Sequence, residues 1–368
     1  MKRMDHYLKC LLPIFAILLF SSSVASAQES ENKHFPTYKI RDLALIYQGG
    51  AKRIDWTEDQ FVPYVTHTFA DGERDWLFDG FLFLDFNDGR GNTFIPQYGA
   101  TKAKRTEWEW YLDRVFEKGK SLDALDKCIE TQKKIIGEPG FKHKIVLSLL
   151  TPLFGQTDWG SVDGKQLDFN TYEDQSLAVK WFIDQLVSRF QNAGYKNLEL
   201  VGLYWVDEDI CHTKELTKYI APLVHAKNLD FVWIPYFKAR GYDRWQELGF
   251  DIVYHQPNHF FKKEIPDSRL DEACEIALDL GMAMEFECDS KALYQAENSS
   301  YDRMQAYIDA FRRNKVFDTS AIAYYTGSKA LIDMVENPCP ENQKIMDELA
   351  SIIIERRKND KLCPSSKK

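Results

Sequence analysis

Cysteine is sparse in this chain of 368 residues: there are seven, and no two stand in C-x-x-C spacing. That excludes a clustered zinc site, whose ligands come in closely spaced pairs. Also missing are a G-x-S-x-G nucleophile elbow, an H-E-x-x-H helix, a P-loop and the Gly-rich turn of a dinucleotide-binding sheet. No cofactor and no resident metal are expected. An excess of basic residues is lacking as well. The formal charge is −9, the reverse of what a polyanion binder needs, so nucleic acid is not an expected partner. The acidity itself speaks only for solubility. No Pro/Ser-rich linker, composition break or long repeat divides the chain. A single apolar stretch, residues 10–20, stands out, and it is shorter than the ~20 residues a membrane span requires.

That stretch has a context. Lys2, Arg3 and Lys9 surround its start, and Ala25-Ser26-Ala27 precedes Gln28, the pattern of a secretory signal peptide with its cleavage site. Residues 1–27 are therefore read as a signal, the alternative being an uncleaved membrane anchor. No Cys follows the apolar run where a lipoprotein anchor would need one. The mature chain would have 341 residues (368 minus 27), no membrane anchor and a periplasmic or secreted location. Loss of three basic residues and Asp5 moves its charge from −9 to −11. Six cysteines remain: Cys128, Cys211, Cys274, Cys288, Cys339 and Cys363. Export permits disulfides, with Cys339–Cys363 or Cys274–Cys288 as conceivable pairs. Buried free thiols fit the same spacing.

From there the sequence repeats one unit: a short β-branched and aromatic run, a polar loop, then an amphipathic helical stretch. The runs fall at 43–47, 80–86, 144–149, 200–206, 231–236, 252–255, 282–287 and 321–325. Each reads as a strand buried on both faces, as in a parallel sheet. Helical spacing covers 108–136, 172–193, 213–226, 268–280, 301–314 and 341–358, with a weaker turn at 242–248. Gly194 and Gly281 are placed to end two of these helices. Eight such units predict right-handed crossovers and closure into one α/β domain, a (β/α)8 TIM barrel over 28–358, with a polar tail at 359–368. An open doubly wound sheet is the alternative, without its Gly-rich loop. Two connections, 87–106 after the second strand and 151–171 after the third, exceed turn length and are predicted to wall a cleft.

In such a barrel the chemistry lies where the strands end. Asp85 closes the second run, and Asp207-Glu208-Asp209 follows the fourth. Tyr236 ends the fifth, His255 the sixth, Glu285-Phe286-Glu287 the seventh and Tyr325 the eighth. A carboxylate inside an apolar strand is costly unless it is paired or used. Glu285 and Glu287 share the alternation that faces the interior, whereas Asp207 points opposite to Glu208. Cleaving a glycosidic bond takes two carboxyls across the sugar, one acid and one base or nucleophile. Strands four and seven can present such a pair. Sugars also stack their C–H faces on aromatic rings. Trp159, in a Gly-, Asp- and Ser-rich loop, is the leading platform, followed by Trp205, Tyr236 and Tyr325. Asp85, Asp207 and His255 are candidate substrate hydrogen-bonding groups. His255 and His259 stand four apart, but Pro257 keeps them off one helix, so a metal site built on them would need carboxylate ligands as well. Basic residues after several strands, Lys52-Arg53, Arg90, Lys238, Arg240, Lys262-Lys263 and Lys329, suit an anionic sugar such as a uronate or an ordinary charged surface.

The placement of one Glu after strand four and another at strand seven resembles the layout of the large clan of retaining (β/α)8 glycoside hydrolases. The resemblance implies Glu208 as acid/base and Glu287, or Glu285 in its place, as nucleophile. The clan usually carries Asn directly before the strand-four Glu, where it contacts the sugar 2-hydroxyl; this chain has Asp207. The phrases Asp75-Trp76-Leu77-Phe78-Asp79-Gly80-Phe81-Leu82-Phe83-Leu84 and Gly202-Leu203-Tyr204-Trp205-Val206-Asp207-Glu208 resemble the domain-of-unknown-function 4855 family. The resemblance, over most of the mature chain, implies an exported bacterial barrel linked to polysaccharide use.

The expected function is that of an exported glycoside hydrolase-like barrel acting on a poly- or oligosaccharide. Two alternatives stand beside it: a carbohydrate-binding barrel without catalysis, which Asp207 favours, and a metal-dependent hydrolase built on Asp85, His255 and Glu287.

Overall fold

The computed structural model describes residues 38–358 apart from Gly49 and Gln97. The signal expected at 1–27 and the tail expected at 359–368 lie outside those residues. Eight parallel strands close in chain order: β1 (Asp42–Tyr47), β2 (Gly80–Leu84), β3 (His143–Leu149), β4 (Leu198–Trp205), β5 (Asp230–Trp233), β6 (Ile252–His255), β7 (Ala283–Glu287) and β8 (Ile322–Tyr325). The last pairs back on the first, with Asp42 opposite Ile322 and Ala44 opposite Tyr324. No edge of this sheet is left open. Helices follow as α1 (Glu58–Val65), α2 (Arg105–Val115), α3 (Ser121–Ile136), α4 (Tyr172–Ala193), α5 (Lys214–His225), α6 (Ser268–Leu280), α7 (Tyr301–Arg313), α8 (Val316–Thr319), α9 (Ala330–Glu336) and α10 (Pro340–Lys358). The protein is a single (β/α)8 TIM barrel, as the alternation of runs and helical stretches predicts.

Three local differences have physical causes. The helix expected over 108–136 is two helices, because Gly119 (φ 82°) and Ser121 (φ 48°) are left-handed and break the path between α2 and α3. The stretch after β1 holds α1, with Pro63 inside it, and a hairpin of Thr66–Thr68 with Arg74–Trp76. In α1 the helical spacing is carried by Phe61, Tyr64 and Val65 alone, with Pro63 among them. The segment 242–248 makes only one 3-10 turn, Tyr242–Arg244. Elsewhere the punctuation holds: Gly194 (φ 63°) and Gly281 (φ 66°) end α4 and α6 in the left-handed conformation.

Alternation sorts the strand side chains into two layers. Leu45, Leu82, Val146, Val232 and Tyr254 point inward, and Ile40 plugs the N-terminal end. A Cβ on Gly80 would lie 2.4 Å from Ile40 Cγ2, so only glycine lets the plug seat. Phe81, Leu147, Leu203, Trp233 and Phe286 point outward against the helices. At the seam, Arg356 of α10 ion-pairs with Asp42 of β1 at 2.9 Å, both nearly inaccessible, and the Tyr324 hydroxyl of β8 donates to the same carboxylate at 2.8 Å.

Cys128, Cys274 and Cys288 are buried free thiols, and Cys211 and Cys339 are also free. The Cys274–Cys288 pair is therefore not formed. Cys363, the other half of the second conceivable pair, lies outside the described residues. Among the described residues no helix is long and apolar enough to cross a membrane.

Candidate functional site

The inward alternation changes chemistry towards the C-terminal end of the barrel. On β7, Ala283 is succeeded by Glu285 and then Glu287, so the strand carries two carboxyls up the inner wall. Val206 still points inward after β4, which puts Glu208 on the same side one step further. The three carboxyls converge on one cavity of about 220 Å³ at the barrel mouth. Tyr47, Phe86, Tyr204 and Tyr325 form its aromatic walls, with Tyr98 and Phe261 at the rim. Tyr47 meets the rings of Phe86 and Tyr325 edge-on, at 5.6 and 5.4 Å. A second cavity of about 400 Å³ continues outward, sharing Tyr98, Glu208, Asn258 and Phe261 and adding Tyr236, Phe237, Lys262 and Arg269. That size is within the ~300–1,000 Å³ of small-molecule sites.

The segment after β6 holds the site together. Gln256 donates through Nε2 to Glu208 Oε1 at 3.2 Å and to the Ile234 carbonyl at 3.0 Å. Asn258, left-handed at φ 49°, ties back to the Phe237 N–H at 3.0 Å. The His259 N–H donates to Glu287 Oε2 at 3.3 Å, and the Tyr307 hydroxyl of α7 donates to the same oxygen. Arg303, buried on the same helix, donates to the carbonyls of His259, Lys262 and Ile265. It fixes the loop that fixes Glu287.

Burial decides the protonation of the three acids. It pushes Glu208 up to about 7, against the hydrogen bond from Gln256, and the charges of Glu287 and Asp207 add to the rise. Burial pushes Glu287 up to about 7 as well, against the hydrogen bonds from Tyr307 and the His259 N–H, which favour its anion. Glu285 is raised well above the ordinary carboxylate range, by burial first and then by the charges of Glu287 and Glu208. Among the described residues no hydrogen-bond donor is aimed at it. In a coupled pair the one proton therefore sits on Glu285 and the one charge on Glu287.

Of the residues expected at the site, Glu208, Glu285, Glu287 and Tyr325 line the inner cavity and Tyr236 the outer one. Five others are placed elsewhere, and four of those follow from strand alternation. Asp85 points away from the interior and is spent on Arg53, at 3.0 Å, and on the Gly50 N–H. Trp205 packs against Phe231 in the outer layer. Asp207 is buried, pushed up to about 7 by burial, and accepts from Thr213 Oγ1 at 2.9 Å. His255 stacks on Tyr242 outside the barrel wall, and burial lowers it to about 4. The fifth, Trp159, is only 1% exposed, wedged between Trp108 and Trp181, so its faces are closed to a sugar. Asp85, His255 and Glu287 do not converge on one point, and no three acidic, His or Cys side chains among the described residues form a metal-binding group.

The walls also differ from expectation. The connection 87–106 supplies Tyr98, but the connection 151–171 supplies no lining residue; the wall opposite comes from the segment after β6. Tyr98 and Phe261, 51% and 42% exposed, are the accessible rings that sequence reasoning missed. Gln256 and Tyr204 were within its reach, since each neighbours a residue of the wrong parity.

No curated protein matches this sequence. Among solved structures, it is similar to a Bacteroides thetaiotaomicron protein described as a "putative alpha-L-fucosidase", at 12% identity and a TM-score of 0.41, over 91% of this chain and 99% of that one. It is also similar to tryptophan synthase from Pyrococcus furiosus, at 10% identity and 0.34, over 88% and 100% of the two chains. A third is ribulose-1,5-bisphosphate carboxylase/oxygenase from Pyrococcus horikoshii, at 8% identity and 0.39, over 86% and 59%. Likenesses this distant say nothing of activity. The sequence itself is more specific: residues 42–351, nearly all of the barrel, match the family described as domain of unknown function (DUF4855), and the chain belongs to that family.

Proposed function

We propose that this barrel hydrolyses a glycosidic bond of a poly- or oligosaccharide, with Glu208 as the acid and Glu287 as the nucleophile or base. One observation carries the reading: carboxyls from β4 and β7 line a single aromatic-walled cavity at the C-terminal mouth. Burial raises both to about 7, and what distinguishes them is the hydrogen bonding each receives. Glu208, raised to about 7, holds a proton for a substantial part of the time near neutrality and can deliver it to a leaving oxygen. Glu287, with two donors on one oxygen, is the group that holds negative charge beside the sugar. Glu285, protonated beneath it, would serve as a neutral donor on the cavity floor. Tyr98 and Phe261 would stack on sugar faces at the entrance. The leader pattern at 1–27 supports a site of action outside the cytoplasm.

A second reading has an observation of its own. Asp207 stands where the clan's sugar-binding Asn would be and is turned to Thr213 rather than to the cavity. That favours capture of a glycan without turnover. The two readings part in one experiment. The purified protein is screened against a glycan panel, with the product anomer followed by NMR, beside Glu208→Gln and Glu287→Gln. Hydrolysis lost at least ~100-fold in both variants, with glycan binding kept, supports catalysis by the pair. Turnover that survives Glu208→Gln ends the assignment.

A further inference from the structure

We propose that the outer cavity is a subsite for an anionic sugar residue, one bearing a carboxylate or a sulfate, gripped by Arg269 and Lys262. The inference rests on the glycan reading of the mouth and adds the class of substrate.

Most of the cations that follow the strands are already in use. Arg53 is bound by Asp85 at 3.0 Å, Arg90 by Asp88 at 3.3 Å and Lys238 by Glu272 at 2.6 Å. Arg240 is held by Asp209 at 2.7 Å, Lys329 by Asp333 at 2.6 Å, and Lys263 by the Ser299 carbonyl at 2.9 Å. These charges serve the fold or the surface. Arg269 and Lys262 are different: both line the outer cavity, and among the described residues neither has an ion-pair partner.

Arg269 is also in an unfavourable place for a structural cation. It lies in the first turn of α6, where the helix dipole favours negative charge. Its guanidinium instead rests 3.9 Å from the centre of the Phe237 ring. Stacking on an aromatic face holds the planar fork in one orientation before any ligand arrives. An arginine so fixed is matched to a carboxylate or sulfate, each of which offers two oxygens in the plane of the fork. A neutral sugar hydroxyl needs neither the charge nor the fork. Lys262, exposed in the segment after β6 that forms the same wall, adds a second positive charge. Among the described residues the one carboxyl lining this cavity is Glu208, at its inner border, which burial holds largely protonated below neutrality. The cleft is thus graded, acidic inside and cationic outside. A glycan lying across Glu208 would place its charged unit over Arg269 and Lys262.

The test is calorimetric binding to the full-length protein carrying Glu208→Gln, so that no turnover intervenes. Three probes are used: a neutral gluco-oligosaccharide, an oligogalacturonide, and a sulfated galactan (carrageenan) oligosaccharide that carries no carboxylate, all of matched length. The expected result is that the uronate or the sulfated probe binds more tightly than the neutral one. That preference should fall about tenfold on adding Arg269→Gln, a loss equal to one charged hydrogen-bonding contact. It should fall further with Lys262→Gln, and weaken as salt rises from about 50 to about 300 mM. Lys329→Gln, an already paired cation, serves as the control and should change nothing. Which of the two anionic probes binds tells carboxylate from sulfate. If the neutral probe binds as well as both anionic ones, or Arg269→Gln leaves the anionic affinity unchanged, the subsite is overturned while the glycan cavity stands. If none of a broader neutral and anionic panel binds, the cavity reading itself fails, and this one with it.

Discussion

Replacing Glu208 by Gln removes a group that the native fold holds in the wrong protonation state at high pH, and the effect on stability can be worked out before any substrate is known. Burial raises this carboxyl from its ordinary value of 4.5 to about 7. A folded-state value above the unfolded one means that the native protein binds the proton more tightly, so this group's contribution is fully present below pH 4.5. It is lost as pH rises through about 7. At about 1.36 kcal/mol per unit, the difference amounts to roughly 3 kcal/mol of native stability forfeited between about pH 4.5 and 8. Glutamine keeps the shape and can still accept from Gln256, but it carries no proton to lose. Glu208→Gln should therefore differ little from the parent at about pH 5 and exceed it by roughly 2–3 kcal/mol at about pH 8. Urea denaturation of both proteins at several pH values between these limits reads the difference directly. A difference that stays flat with pH, or one that grows towards acid, would refute the burial argument and with it the assignment of Glu208 as a proton carrier.

Two further expectations concern neighbours of the acids. Tyr307→Phe deletes the hydroxyl that favours the Glu287 anion, so the acidic limb of the kcat profile should move up by about 1–2 pH units, the equivalent of a hydrogen bond to a charged group. A limb that stays in place would assign that limb to another residue. Trp159→Ala and Tyr98→Ala should behave as opposites. The first empties a buried site and should cost about 3–5 kcal/mol in denaturation while leaving glycan affinity unchanged. The second removes an exposed ring and should leave stability within about 1 kcal/mol while weakening glycan binding several-fold.

Strand identity is legible in the sequence because a parallel barrel buries both faces of each strand, and short apolar runs between polar loops fit little else once they alternate with helices. The carboxyls of β7 are legible for the same reason, since Glu285 and Glu287 interrupt such a run at the inward parity. Parity also separates the residues that line the cavity from those that miss it. Asp85, Trp205, Asp207 and His255 alternate outward; one step along, Phe86, Tyr204, Glu208 and Gln256 alternate inward and line the cavity. Trp159 misleads through composition: its loop is polar, yet the indole fills a gap between Trp108 and Trp181 that only the folded layers create. Tyr307 and Arg303 are out of reach of the sequence, because their contacts to Glu287 and to the His259 loop depend on where α7 lands. Arg269 is hidden among other surface charges, and only the geometry separates the paired cations from the unpaired ones.

The buried link between Asp42 and Arg356 joins residues 314 positions apart. During synthesis Arg356 follows Asp42 by 314 residues, so β1 waits without its electrostatic partner until α10 has left the ribosome. A chain cut short of Arg356 would keep Asp42 buried without its counter-charge and the seam between β1 and β8 unlatched. Latching of the seam is thereby tied to synthesis as far as α10, and chains terminated before it should be marked by open strands, the surface that chaperones and proteases recognise.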